Sequence, residues 1–227
     1  MTGNGLFAAE PGRIGTDESG KGDFFGPLVV AAFFMPEGQE DVLRALGVKD
    51  SKRTSDGRCR EIAATLKKGY AYSIVAIGPE KYNELYAKLR NLNRLLAWAH
   101  ARAIENILER VPAGRAVTDQ FGDERFVKNA LLKRGREIDL VQMPRAEEDP
   151  AVAAASILAR AEFLARLGDL SREVGMELPK GASTLVDQAA VRLVRTKGPA
   201  ILEQVAKTHF KTTARVLGQA GVAKLIE

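Results

Sequence analysis

Asp17 and Glu18 stand side by side and are followed at once by Gly20-Lys21-Gly22, with Gly15 before them and Gly26-Pro27 after. Adjacent carboxylates offer only oxygen ligands, which suits a hard divalent cation of the magnesium type, often held by one or two carboxylates plus substrate phosphates. The glycines let the backbone turn, and let amide groups approach a ligand with no side chain in the way. Neighbours on an extended strand point to opposite faces. The two acids are therefore expected to converge where a strand ends, Gly20 and Gly22 supplying that end. The competing reading is a solvated Asp-Glu turn. A nucleotide cradle is the weaker alternative, since the stretch matches neither glycine fingerprint: there is no G-x-x-x-x-G-K-[ST], and Gly26 falls one residue late for G-x-G-x-x-G.

Two further acids occupy comparable places. Arg115 to Thr118 reads as a strand ending at Asp119, and Glu137 to Met143 as a strand followed by Glu147-Glu148-Asp149-Pro150, with Asp149 as helix cap and Pro150 in the first turn. Sheet proteins gather their sites at strand ends, so Asp17, Glu18, Asp119 and Glu147 are candidates for one pocket. Four carboxylates in one place repel unless cations neutralise them. Two magnesium ions about 3.5 to 4 Å apart can activate a water and stabilise the departing oxygen of a phosphodiester.

The remaining chain must position these groups. At 227 residues and 45% hydrophobic content it can build a proper core. Leu28 to Met35, nearly continuous in apolar character, reads as a strand buried on both faces, next to a first strand over Arg13–Asp17. Gln39 to Leu46 is a short helix stopped by Gly47. Thr54 or Ser55 caps a helix ending at Gly69, Tyr70 to Ile77 is a third strand, and Gly78-Pro79 opens another helix. From Leu92 to Val111 the apolar residues recur at helical spacing; His100 on this helix is expected to be a polar-edge or satisfied residue rather than a catalyst. Asp123 is the expected cap of the helix after Gly122. The Ala-rich segment from Ala151 to Leu167 is a helix small enough to lie close to a sheet, and three helical segments follow the loop Leu178 to Ser183. The alternation predicts one α/β domain with a mixed five-stranded sheet, spanning 13–227 behind a short tail, 1–12.

No apolar run is long enough for a membrane helix and the start lacks a secretory pattern, so a soluble, cytoplasmic protein is expected. One cysteine, Cys59, excludes a disulfide framework, and two histidines leave any metal on oxygen ligands. From Lys180 to Ala220 seven basic residues (Lys180, Arg192, Arg195, Lys197, Lys207, Lys211, Arg215) face two acidic ones, an excess equal to the net charge of the whole chain, +5. That is the electrostatic footprint of a phosphate-backbone binder, or alternatively a solvated helical face.

Gly15 to Pro27, Asp50-Ser51-Lys52, Asn91-Leu92-Asn93 with Leu95-Leu96-Ala97, Thr118-Asp119-Gln120-Phe121, Ala151 to Arg160, Leu178 to Ser183 and His209-Phe210-Lys211, in that order, resemble bacterial ribonuclease HIII. The resemblance implies a ribonuclease H-like fold with a helical C-terminal region. It also implies cleavage of the RNA strand of RNA/DNA hybrids with Mg2+ or Mn2+, leaving 3′-hydroxyl and 5′-phosphate ends. By the same resemblance Asp17 is shared by both metals and Glu18 and Asp119 are its partners. Glu147 takes the fourth place, with Glu148 beside it. Glutamate there marks the HIII branch, the sister type HII usually carrying aspartate. Gly20-Lys21-Gly22 corresponds to a turn that reads 2′-hydroxyls, the group that separates RNA from DNA. Lys52, Lys180 and Ser183 would hold phosphates. Ribonuclease HIII proteins typically carry an N-terminal substrate-binding domain, and only a dozen residues here precede the first expected strand. The chain is expected to act on an RNA/DNA hybrid as a monomer. The alternatives are a ribonuclease HII-type enzyme that incises at single ribonucleotides, and a non-catalytic nucleic-acid-binding module.

Overall fold

In the computed structural model, which describes residues 12–48, 54–119, 125–132 and 134–222, the apolar run after the glycines forms the strand Leu28–Pro36 (β2). Its residues from Leu28 to Met35 are all buried. Val29, Ala31, Phe33 and Met35 enter one core cluster while Leu28, Val30, Ala32 and Phe34 enter another, the split expected of a strand covered on both faces. At about 1.5–3 kcal/mol for each large apolar side chain fully buried, this strand is a large contributor to the core.

β2 pairs antiparallel with Gly12–Ser19 (β1) on one side and Tyr72–Ile77 (β3) on the other. Arg115–Asp119 (β4) pairs parallel with β1, and Asp139–Met143 (β5) parallel with β4. The five-stranded order is β3-β2-β1-β4-β5, mixed as expected. β3 and β5 start later than their apolar patterns suggest. Tyr70 serves as the extended cap of the preceding helix, and Gly135–Glu137 form a 3-10 turn.

β1 runs further than its sequence pattern predicts. It does not end at the acid pair but continues to Ser19, which is paired with Val29, so Asp17 and Glu18 project to opposite faces of the sheet.

One face is covered by the helix Pro150–Val174 (α6), with Glu40–Ala45 (α1) and Asp56–Gly69 (α2) packed against it. Asp149 caps α6 by accepting from the amide of Ala151, and Arg13 of β1 donates to the same carboxylate at 2.8 Å. A Cβ on Gly15 would sit 2.1 Å from the carbonyl carbon of Ala151, so α6 lies against β1 with no room for any side chain there. The helix runs past the expected end at Leu167 and stops at Gly175, whose φ of +71° is the left-handed cap glycine adopts freely. The other face carries Leu92–Leu108 (α4), together with Pro79–Leu89 (α3) and Arg125–Ala130 (α5). The C-terminal region is helical as expected: Thr184–Lys197 (α7), Ile201–Val205 (α8) and Lys211–Gln219 (α9). Lys52 and Asp123 lie outside the described residues.

Candidate active site

Asp17, Glu18, Asp119 and Glu147 all line one cleft of about 590 Å3. Register explains how they arrive. Thr16 of β1 pairs with Thr118 of β4 as the last pair of their parallel ladder, which sets Asp17 and Asp119 level with one another just beyond it. Glu147 comes from the Ala146–Glu148 turn that feeds α6. Glu148, in the same turn, is exposed and does not line the cleft, which separates the two glutamates that the sequence left side by side.

The opposed faces of β1 give the paired acids different surroundings. Asp17 points to the α6 side, where Ser156 hydrogen-bonds its carboxylate, and its Oδ1 accepts from the amide of Glu18 at 2.8 Å. Burial, and then the neighbouring charge of Glu18, push its pKa up to about 6. Glu18 points to the α4 side. One oxygen lies 3.3 Å from Nε2 of His100 and the other accepts from Lys21 Nζ at 3.2 Å. Burial works against its ionisation, but His100 and then Lys21 outweigh it and bring its pKa down to about 2.

His100 is a satisfied residue, as one of its two expected placings had it, but one of its partners is the acid Glu18. It is fully buried, not on a polar edge, and its Nδ1 lies 2.8 Å from the hydroxyl of Thr16, so the imidazole spans from β1's interior to its acidic end. The apolar spacing of α4 hid this, because a histidine on a core face looks like packing. Ser156 and Arg160 were equally silent inside an Ala-rich helix, yet both line the cleft.

Gly20, Lys21 and Gly22 form the rim. Gly20 is there for a steric reason: its φ is +87° and an added Cβ would lie 2.1 Å from the carbonyl oxygen of Pro27. Gly22 has neither constraint; nothing in the protein lies within 4 Å of where its Cβ would be.

Lys180 also reaches the cleft, with its Nζ 2.6 Å from Asp56 Oδ2, while Arg160 approaches Asp56 Oδ1 at 2.6 Å. Burial opposes the charge on Asp56, but the hydrogen bonds from Lys180 and Arg160 hold its carboxyl below the usual range. Ser183 is exposed outside the cleft, where it is the N-cap residue of α7 and makes no side-chain cap bond.

The basic C-terminal segment is also less free than its charge count implies. Lys207 is fully buried, Arg215 forms a two-pronged pair with Asp187 at 2.8 Å and 2.8 Å, Lys180 meets Asp56, and Arg195 donates to the carbonyl of Gln219.

Hard carboxylate oxygens from three parts of the chain, one of them on the half-buried Asp17, whose ionisation desolvation and the charge of Glu18 oppose, form a donor set suited to a magnesium-like ion. Among the described residues no three His, Cys, Asp or Glu side chains are gathered tightly enough to hold an ion. Mutual repulsion among the carboxylates that line the cleft is what a bound cation would relieve.

A mixed sheet of this order, flanked by helices and carrying acids just past the parallel ladder of its two central strands, is the ribonuclease H-like fold. Residues 14–213 match the family model described as Ribonuclease HII. The chain is 47% identical to the ribonuclease HIII of Protochlamydia amoebophila (strain UWE25), over 92% of its own length and 69% of that protein's. It is 42% identical to the ribonuclease HIII of Chlamydia felis (strain Fe/C-56), over 92% and 70% respectively. Among solved structures, Bst-RNase HIII in complex with Mn2+ superposes with a TM-score of 0.85 at 34% identity, covering 94% of this chain and 71% of that one. The ribonuclease H2 of Pyrococcus horikoshii OT3, at 22% identity and a TM-score of 0.75, shares the fold over 92% of this chain and 99% of its own. The chain belongs to the ribonuclease HII family of endoribonucleases, and these curated relatives are of its HIII type.

Proposed function

We propose that this enzyme cleaves the RNA strand of RNA/DNA hybrids by phosphodiester hydrolysis, leaving 3′-hydroxyl and 5′-phosphate ends. The observation that carries the reading is the placing of Asp17, Glu18, Asp119 and Glu147 around one cleft whose rim is Gly20-Lys21-Gly22. Asp17, Glu18, Asp119 and Glu147 would hold two Mg2+ or Mn2+ ions. The ions, when bound, supply an activated water and charge stabilisation for the departing oxygen.

The chain's own groups do the rest. His100 and Lys21 hold Glu18 ionised and oriented. Gly20 to Gly22 let backbone amides approach the 2′-hydroxyls that mark an RNA strand. Lys180 and Arg160, presented as a pair by Asp56, contact phosphate. All these groups come from one chain, and we read the enzyme as a monomer acting in the cytoplasm, with 13–227 as its catalytic domain.

The test is digestion of three labelled duplexes with Mg2+ and with Mn2+: an all-RNA strand on DNA, a single ribonucleotide within DNA, and all DNA. The first should be cut and the last untouched. Asp17→Asn should abolish cutting and preserve binding. Preferential cutting of the single-ribonucleotide duplex would move the enzyme to the junction-incising type, and no cutting of either ribonucleotide-containing duplex would overturn the proposal.

A further inference from the structure

Lys207 is buried to 0% exposure, although nothing in the catalytic scheme uses it. Its Nζ donates to the carbonyl oxygens of Asp23 at 2.8 Å and Gly26 at 2.7 Å. Its backbone amide donates to the carbonyl of Phe24 at 2.8 Å, and the ammonium lies 5.7 Å from the centre of the Tyr82 ring. One residue thus engages three carbonyls of the stretch that follows the cleft-lining glycines.

Lys207 is itself gripped on both sides. Asn83 of α3 donates to the carbonyl of Ala206 at 2.9 Å and accepts from the amide of Thr208 at 3.0 Å. Neighbouring contacts run the same way. Phe25 bridges to Ala206, the amide of Gly26 donates to the carbonyl of Val205, and Phe24 donates to the carbonyl of Gly181, whose own amide donates to Asp23 Oδ1.

A buried cation is costly to keep. Burial pushes the pKa of Lys207 down to about 7, the charge of Asp23 pulling the other way, and either protonation state retains the two N–H donors the carbonyls need. An apolar side chain would fill the space without that cost, so the donors are what the position supplies.

We propose that Lys207 is a positioning residue for the glycine rim: from inside the molecule it fixes the peptide planes of Asp23 and Gly26, and through them the orientation in which Gly20 to Asp23 meet the RNA strand. The proposal rests on the hybrid-cleaving reading for its substrate, while its structural half stands apart from it.

The experiment compares the full chain with Lys207→Met, which keeps length and loses both donors, and with Val216→Ala, a cavity variant in the same C-terminal region, as a control for general destabilisation. Amide hydrogen exchange should show protection lost at 20–26, 181 and 205–207 in Lys207→Met and retained there in Val216→Ala. Affinity for an uncleaved hybrid, measured with Ca2+ in place of Mg2+, should fall at least tenfold in Lys207→Met. Affinity for the matching DNA duplex should stay within twofold, so that the preference for RNA collapses. Unchanged exchange in the rim would overturn the proposal whatever the enzyme cuts. A loosened rim with the hybrid preference intact would reduce Lys207 to a structural brace and overturn it as well. If the unsubstituted chain showed no hybrid preference, the functional reading would fail and take the substrate half with it, while the exchange data would still decide whether Lys207 orders the loop.

Discussion

The two rim glycines differ in what they owe to the fold, and that difference makes them separable by mutation. Gly20 is required by its left-handed φ and by the approach of Pro27, whereas Gly22 is exposed, meets nothing, and is not among the glycines with positive φ. Gly22→Ala should leave the thermal midpoint unchanged or slightly raised, since restricting the unfolded chain at a compatible site contributes about 0.4–1 kcal/mol. If a backbone amide must approach the substrate there, kcat/KM on a hybrid should fall roughly 10- to 100-fold. Retained activity would show that the rim does not come that close. His100 is the complementary case. By holding Glu18 through Nε2 it acts on a candidate metal ligand from behind, and His100→Ala should raise the Mg2+ concentration for half-maximal activity about 10- to 100-fold. A shift in KM for the duplex with no change in metal dependence would argue against this role. The acids were legible because their type limits their chemistry. His100 was not, because linear spacing places it on an apolar helix face without showing which strand that face covers.

At the scale of elements, the contact between β1 and α6 sets the site. Gly15 lets the N-terminus of α6 rest on the strand that carries Asp17, and the turn before α6 carries Glu147. Gly15→Ala would drive a Cβ to 2.1 Å from the Ala151 carbonyl carbon and 2.2 Å from the Val152 amide nitrogen, backbone atoms that cannot step aside cheaply. Overpacking of this kind should cost about 2–4 kcal/mol in denaturant unfolding, and should lower the activity of the remaining folded enzyme as the two acids separate. A stability change below about 0.5 kcal/mol would mean that the helix is free to lift. The sequence showed that the Ala-rich helix could lie close to a sheet, and showed its cap at Asp149. It could not show that β1 runs through the acid pair, because Ser19 carries no strand signal of its own and is held in the ladder by Val29.

For the molecule as a whole, the charge count of the C-terminal segment overstated what is available to a partner. Burial is invisible to counting: Lys207 faces inward and Arg215 is spent on Asp187, which leaves Arg192, Lys197 and Lys211 as the segment's exposed cations with no side-chain bond among the described residues. Neutralising Arg192 and Lys197 together should reduce the slope of log K against log salt for hybrid binding by at most about 2. An unchanged slope would place this face away from the duplex.

The acid pair makes a second whole-molecule property measurable, the dependence of stability on pH and metal. Asp17 has its pKa raised from 3.8 to about 6, so the folded chain holds that proton more tightly than the unfolded chain. Its contribution is neutral below about pH 4 and becomes a penalty of about 3 kcal/mol as pH rises through 6, by the usual conversion of about 1.4 kcal/mol per unit. Glu18 has the opposite sign. Lowered from 4.5 to about 2, it stabilises above about pH 4.5 and loses that contribution only as pH falls through 2. Near neutral pH both acids are charged, and the Asp17 penalty is the part that a cation relieves. Without metal, Asp17→Asn should therefore be more stable than the parent at pH 7.5 and about equal to it at pH 4. Excess Mg2+ should raise the thermal midpoint of the parent at pH 7.5, with much less effect at pH 5 where protons compete, and little effect on Asp17→Asn at either pH. If metal-free Asp17→Asn gained nothing at pH 7.5, the carboxylate would be adequately solvated or paired on its own, and the electrostatic case for a cation beside it would fail.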